Sequence, residues 1–403
     1  LVSTVDTSKR FITLSIYGAF FLIGLTFTVF GATMPFLIEN YRINLAQAGL
    51  FASFMAMGRM LLVVLCGLLT DRIGAKWVVI LGTLCLTLGL IGVGSLSQFS
   101  IALAFAFIAG IGHGAVDAAG SSTIMDMYPG RSSGMLNKAN MFFAVGCLIG
   151  PLVSGIILSY TEYWRVVYYI NAAIGVIITL FLVFQTFPHS DGDVKQAGSW
   201  PYRMLFTSSY LWLLSMVMFL YSGAGHSINT WINKYMGDVV RLPVFFASGT
   251  LAVYNLGLAS GRFACSIGAE KLGYHRVIFL SALGGLVSMV VALFSPFVVL
   301  AITGLGFTGF FFGGLFPTAI AIAGGMYPEQ KGFITGMLVM TAALGSMTIP
   351  AMTGLVSQAI GLERGMRSLV IWGIALFAVG VYIYRHKQKQ KRYAQSVQSV
   401  DSD

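Results

Sequence analysis

Long apolar runs separated by short polar breaks fill the chain from Phe11 to Tyr384. A bilayer core about 30 Å thick is crossed by about 20 apolar residues in helical form. Cutting the sequence at charged residues, prolines and polar clusters leaves twelve runs of that kind. The first six are Phe11–Ile38, Leu45–Thr70, Lys76–Gly94, Ile101–Met127, Gly134–Tyr160 and Val166–Phe187. The second six are Arg203–Met236, Phe245–Ile267, Arg276–Phe294, Phe297–Met326, Gly332–Ile360 and Ser368–Tyr384. Apolar periodicity is weak within most of them, as expected of helices bordered on every side by lipid or other helices. The alternation of a β-barrel is absent. The pattern predicts an all-α membrane protein of twelve transmembrane helices.

The longest hydrophilic break, His189 to Pro201, carries Asp191, Asp193 and Lys195 and falls near the middle of the chain. An internal repeat flanks it. Met127-Tyr128-Pro129, Gly146, Pro151 and Gly155 recur 199 residues later as Met326-Tyr327-Pro328, Gly345, Pro350 and Gly354. The same offset pairs Gly58 with Gly257, Cys66 with Cys265, Asp71 with Glu270 and Gly74 with Gly273. Two pseudo-symmetric six-helix bundles are therefore expected, at 11–187 and 203–384. Residues 1–10 form a leading segment, 188–202 a linker and 385–403 a basic tail. Six crossings return the chain to its starting side, so the halves share one orientation, the parallel repeat of carriers that hold their solute between halves near the midplane.

Composition agrees and adds topology. With 57% hydrophobic and 9% charged residues, a water-facing surface cannot be covered. The formal net charge of +10 resolves by position: most Lys and Arg fall on the side of the chain ends, and Arg42, Arg165, Arg241, Arg364 and Arg367 on the other. The positive-inside rule places both termini in the cytoplasm of a multi-pass protein of the plasma or inner membrane. The tail Arg385–Arg392 then anchors topology beside anionic lipid rather than binding nucleic acid. The N-terminus lacks the pattern of a cleaved secretory signal, so the first run is expected to stay as a membrane helix. Cys66, Cys85, Cys147 and Cys265 lie in apolar runs without metal spacing and read as small hydrophobes. No nucleophile elbow, metal-spaced His cluster or P-loop is present, which argues against an enzyme, a metal, a cofactor or ATP as energy source. The expected partners are a small solute, protons and the lipid bilayer, with the chain acting as a monomer.

The break between the second and third runs, Gly67-Leu68-Leu69-Thr70-Asp71-Arg72-Ile73-Gly74-Ala75-Lys76, resembles the loop signature of the major facilitator superfamily, and Gly268 to Arg276 resembles a degraded second copy. The resemblance assigns Asp71, Arg72, Gly74 and Glu270 to the gating loops. A narrower resemblance, to the fucose–galactose–glucose:proton symporter family, rests on Gly110-Ile111-Gly112-His113-Gly114-Ala115-Val116-Asp117, on Tyr221 to Trp231, and on Gly313-Gly314-Leu315-Phe316-Pro317. It implies that Asp117 couples protons. The seventh run carries His226 where that family often has an acid, and the first run has no acid. The run Gly146, Gly150, Pro151, Gly155 also resembles the motif of drug:proton antiporters, although small residues and proline there equally serve helix packing.

Charges inside the membrane are rare enough to be informative. Asp117 lies twelve residues before Pro129 and Arg59 twelve before Asp71, so each is roughly 18 Å from the end of its helix, too deep for easy snorkelling. A carboxylate there is costly unless paired or protonated. Arg59 is its expected partner, and alternatively receives an anionic solute as a planar fork. His113 is one turn from Asp117 and is a candidate to relay protons or hydrogen-bond a solute hydroxyl, or else a neutral packing residue. Tyr221, His226, Asn229 and Trp231 on the seventh run combine an aromatic face with polar groups, as a sugar site requires. Asn140 and Asn255 are further amides that bind solute or join helices. The function expected is proton-coupled symport of a sugar or similar small polar solute by alternating access. A drug:proton antiporter and an organic-anion carrier centred on Arg59 are the alternatives.

Overall fold

The computed structural model describes residues 2–128, 131–161, 163–185, 187, 208–326 and 331–400. Twelve helical spans among them are long and apolar enough to cross a membrane. The first half contributes α1 (Val2–Tyr41), α2 (Leu45–Ile73), α3 (Ala75–Ser95), α4 (Phe99–Met127), α5 (Ser132–Tyr160) and α6 (Arg165–Val183). The second contributes α7 (Ser209–Asp238), α8 (Val244–Leu272), α9 (Tyr274–Phe294), α10 (Val298–Gly313), α11 (Leu315–Met326), α12 (Lys331–Ile360), α13 (Leu362–Arg367) and α14 (Leu369–Val400). The expected linker 188–202 lies outside the described residues.

The spans depart from the apolar runs where local chemistry overrides hydrophobicity. The tenth run is two helices, α10 and α11, meeting at Gly314. Pro317 explains the break, because its ring has no N–H to give and crowds the carbonyl four residues back. The last span starts earlier than expected, with the short α13, and α14 continues to Val400 through the segment expected as a tail. Polarity marks where a helix leaves the bilayer, but helical hydrogen bonding does not stop there.

The repeat is visible in the backbone. Gly74 and Gly273 both adopt φ of 83°, and their N–H groups cap Thr70 and Ala269. Only glycine takes that conformation freely. Arg42 and Arg241, again 199 residues apart, are the two non-glycine residues with positive φ among those described. Asn44 caps α2 in a reciprocal box with Gln47.

The chain separates into two compact units, and these do not follow the sequence halves. The first comprises Leu1–Gly198, His226–Asn255 and Ser346–Met366; the second comprises Ser199–Gly225, Leu256–Gly345 and Arg367–Asp403. In the first unit α1 packs on α5, α2 on α4, and α3 on both α4 and α6. Small residues make this possible: a Cβ on Gly58 would overlap the carbonyl of Phe107, one on Gly110 that of Met55, and one on Gly114 would stand 2.7 Å from that of Arg59. In the second unit the repeat of this crossing brings Gly257 against Gly306 and Gly313 against Leu258. Backbone approach of this kind drives association where lipid is as apolar as the side chains. The outer faces are correspondingly apolar, with Leu81, Leu84, Leu88 and Ile91 exposed on α3 and Ile177, Leu180 and Phe181 on α6. A bilayer covers such faces.

If the α2–α4 crossing sets the fold, Gly110→Ala must push the helices apart. The expected result is a lower thermal midpoint in detergent, by about 1–3 kcal/mol of overpacking. Gly134→Ala, where a Cβ meets nothing within 4 Å, serves as the unchanged control.

Candidate functional site

The glycine crossing of α2 and α4 determines which side chains meet at its centre. Arg59 follows Gly58, and Asp117 lies three residues after Gly114, whose backbone rests on that of Arg59. Arg59 Nη2 donates to Asp117 Oδ2 at 2.7 Å, with 32% and 34% of the two side chains exposed. The pair is thus neither sealed nor fully solvated: it neutralises itself while both side chains stay partly exposed. His113, one turn before Asp117, is buried. Its ring centroid lies 6.4 Å from that of Phe27 and 6.3 Å from that of Phe143, and those two are 6.0 Å apart, so three rings from α4, α1 and α5 close into a triangle.

Phe27 also meets His226 of α7, edge to face at 4.9 Å. His226 Nδ1 is 3.0 Å from Ser346 Oγ of α12. One turn further along α7, Asn229 Oδ1 accepts from Asn255 Nδ2 of α8 at 3.1 Å, and the same amide donates to Leu251 O at 2.9 Å. With two acceptors facing Nδ2, the amide orientation of Asn255 is fixed, and its buried Oδ1 has no partner. Gly31 lets α1 approach here, since a Cβ would overlap the carbonyl of Asn229. All these groups belong to the first compact unit.

Toward the side opposite the chain ends, further hydrogen bonds join helices within the same unit. Asn233 Nδ2 donates to Ala32 O, and Leu45 N, at the head of α2, donates to Gln358 Oε1 at 3.0 Å. Ser227 bonds Thr353 at 2.8 Å, and Trp231 Nε1 donates to Pro350 O at 3.0 Å. Lys234 pairs with Asp238 at 2.7 Å near the end of α7, so it is no deep free cation.

Arg59, Asp117, His113, His226, Asn229 and Asn255 thus gather as a set, while three other candidates do not join them. Trp231 is completely buried, and its indole N–H is already taken by the Pro350 carbonyl in the α7–α12 contact. Tyr221 belongs to the second unit, where it packs edge-on against Phe312 at 5.8 Å in an apolar core. Asn140 is exposed and bonds the Leu136 carbonyl of its own helix. In the gating loops Gly74 makes the turn described above, and Arg72 and Glu270 are exposed; the Asp71 side chain lies outside the described residues. Sequence reasoning missed Phe27, Phe143 and Ser346. A signal for Phe27 existed, because the 199-residue offset pairs it with His226, the ring it touches.

Among the described residues no cluster of three or more His, Cys, Asp or Glu side chains has the arrangement of a metal site. A groove of about 390 Å³ between α2 and α12, lined by Phe54, Met57, Met347 and Met352 among others, holds none of the polar set.

Comparison with known proteins agrees with this architecture. The profile of the family described as Major Facilitator Superfamily matches residues 16–308 and 250–399. Inner membrane transport protein YdiN of Escherichia coli is 24% identical over 358 residues, covering 87% of this chain and 84% of that protein. A gentisate transporter of Corynebacterium glutamicum is 22% identical over 415 residues, covering 98% and 91%. The crystal structure of a nucleoside transporter superposes with a TM-score of 0.81 at 15% identity, covering 93% and 100% of the two chains, and shares the fold.

The ion pair makes a double-mutant prediction. Arg59→Gln and Asp117→Asn each leave one partner unpaired, so each lowers the thermal midpoint in detergent. The double substitution loses less than their sum, with a coupling of about 1 kcal/mol for a pair this accessible. Strict additivity would mean that the two side chains do not interact.

Proposed function

Because the chain belongs to the Major Facilitator Superfamily, and is a multi-pass membrane transporter rather than an enzyme, we propose that it works by proton-coupled symport of a small polar solute, of the kind carried by fucose–galactose–glucose:proton symporters. The observation that carries this reading is the self-neutralised Arg59–Asp117 pair, in the same compact unit as two buried polar atoms without a hydrogen-bond partner, His113 Nδ1 and Asn255 Oδ1. Protonating Asp117 frees Arg59, and a guanidinium left unpaired at that depth is costly. A solute oxygen that accepts from Arg59 removes the cost, with His226, Asn229 and Asn255 supplying further hydrogen bonds. Solute therefore favours proton uptake, and by reciprocity the proton favours solute binding to the same degree. Alternating access then moves both together as the bundles 11–187 and 203–384 rock about the midplane. With both termini in the cytoplasm, as the distribution of Lys and Arg indicates, the inward proton gradient drives uptake. The repeat places both halves in one chain, so the working unit is the monomer.

Arg59 also favours a second reading, a carrier of organic anions in which a solute carboxylate takes the place that protonated Asp117 vacates. The 22% identity with a gentisate transporter supports it.

The test is reconstitution in vesicles containing a pH-sensitive dye, with D-galactose, D-xylose, 3-hydroxybenzoate and tetraphenylphosphonium as solutes. A sugar is expected to draw protons inward saturably, and Asp117→Asn to abolish that signal while solute exchange persists. A response to 3-hydroxybenzoate alone selects the second reading. Outward proton movement with tetraphenylphosphonium sinks both.

A further inference from the structure

His113 is placed where a titrating relay would be expected, one turn from the proton-coupling carboxylate, yet its surroundings contradict that role. It is 3% exposed, and its ring touches Phe27 and Phe143. Its Nδ1 is buried with no hydrogen-bond partner. A relay must exchange its proton with water or a carboxylate, but Asp117 is already paired through its Oδ2 with Arg59 at 2.7 Å. Of the charged or titratable groups near the ring, Asp117 lies one turn along its own helix and is paired with Arg59 of α2, and His226 of α7 packs on the Phe27 ring that His113 also meets, with Phe143 of α5 beside it. Arg59 and Asp117 neutralise each other, so among these groups no carboxylate is left to stabilise an imidazolium.

We infer that His113 stays neutral throughout the cycle and acts as a specificity determinant, its unpartnered imidazole nitrogen hydrogen-bonding a hydroxyl or N–H of the solute. This rests on the transport reading above and narrows its substrate class. Phe27 and Phe143 flank the imidazole and are themselves partly exposed, so the group that His113 reads lies beside an apolar face of the solute that rests on those rings. Pyranoses and hydroxylated aromatic rings have that arrangement, with a polar hydrogen at the margin of an apolar face; a linear amine or a fully lipophilic cation does not. An unsatisfied buried polar atom is the strongest discriminator available to such a site, because an analogue lacking the matching group leaves the atom unpaired.

Two measurements on the full chain test this. The first is the ring-nitrogen NMR spectrum of histidine-labelled protein in lipid nanodiscs, with the His113 signal assigned by its loss in His113→Asn. A neutral tautomer from about pH 5 to pH 8 is expected, whereas free imidazole titrates within that window. An imidazolium signal near pH 6 overturns the inference. The second is uptake of D-galactose against its monodeoxy analogues, and of 3-hydroxybenzoate against benzoate. His113→Phe is expected to slow the hydroxylated member by about tenfold or more and to flatten its advantage over the matching analogue. His113→Asn, which keeps a hydrogen-bonding atom near Nδ1, is expected to recover most of that advantage, and both variants to keep the wild-type ratio of protons to solute. Loss of proton movement with solute exchange intact in His113→Asn, or an unchanged advantage in His113→Phe, overturns it. If wild-type protein moves neither pair, the transport reading fails, and the NMR measurement still decides whether the ring is neutral.

Discussion

A guanidinium and a carboxylate can remain at mid-depth in an apolar bundle only if they meet, and here their meeting depends on how closely two backbones approach. Gly58, Gly110 and Gly114 let α2 and α4 cross with almost no side chain between them. That crossing delivers Arg59 to Asp117 at 2.7 Å. Larger residues at the glycines would separate the charges and leave each to bear the cost of desolvation. Packing and charge neutralisation are therefore one device: the contact between α2 and α4 also holds the ion pair.

Helix α1 performs a comparable service for the rest of the site. Phe27 lies between His113 and His226, Gly31 admits the backbone of α7 at Asn229, and the Ala32 carbonyl receives Asn233. Positions 27 and 31 are four apart and share a face. A single stripe of α1 thus organises His226, Asn229 and Asn233 along α7. The polar groups drawn from α2, α4, α7 and α8 belong to one compact unit.

The internal repeat is conserved as backbone and abandoned as chemistry. Gly74 and Gly273 make the same turn, Arg42 and Arg241 the same left-handed bend, and Gly58 and Gly257 the same crossing. Yet Arg59 corresponds to Leu258 and Asp117 to Phe316. Charge at depth is expensive, so a duplicated scaffold has reason to keep such a pair in one copy only. The second copy is free to contribute hydrogen-bonding groups such as His226, Asn229 and Asn255.

The twelve spans and the repeat were legible in the sequence, because burial in lipid imposes a length and a polarity on every helix regardless of its neighbours. Arg59 and Asp117 stood out for the same reason, and equal depth from the helix ends is a one-dimensional quantity that spacing reports. Which aromatic and polar residues join them is not one-dimensional. Trp231 and Tyr221 have the right chemistry at a plausible depth, but rotation about their helix axes sends one into the α7–α12 contact and the other into the core of the second unit. Phe27 and Phe143 look like ordinary lipid-facing or core residues until α1, α4 and α5 bring them to His113. Depth and charge were determined by the sequence alone; the direction each side chain faces was decided only by the tertiary structure, since an angular position has meaning only relative to the helices packed around it.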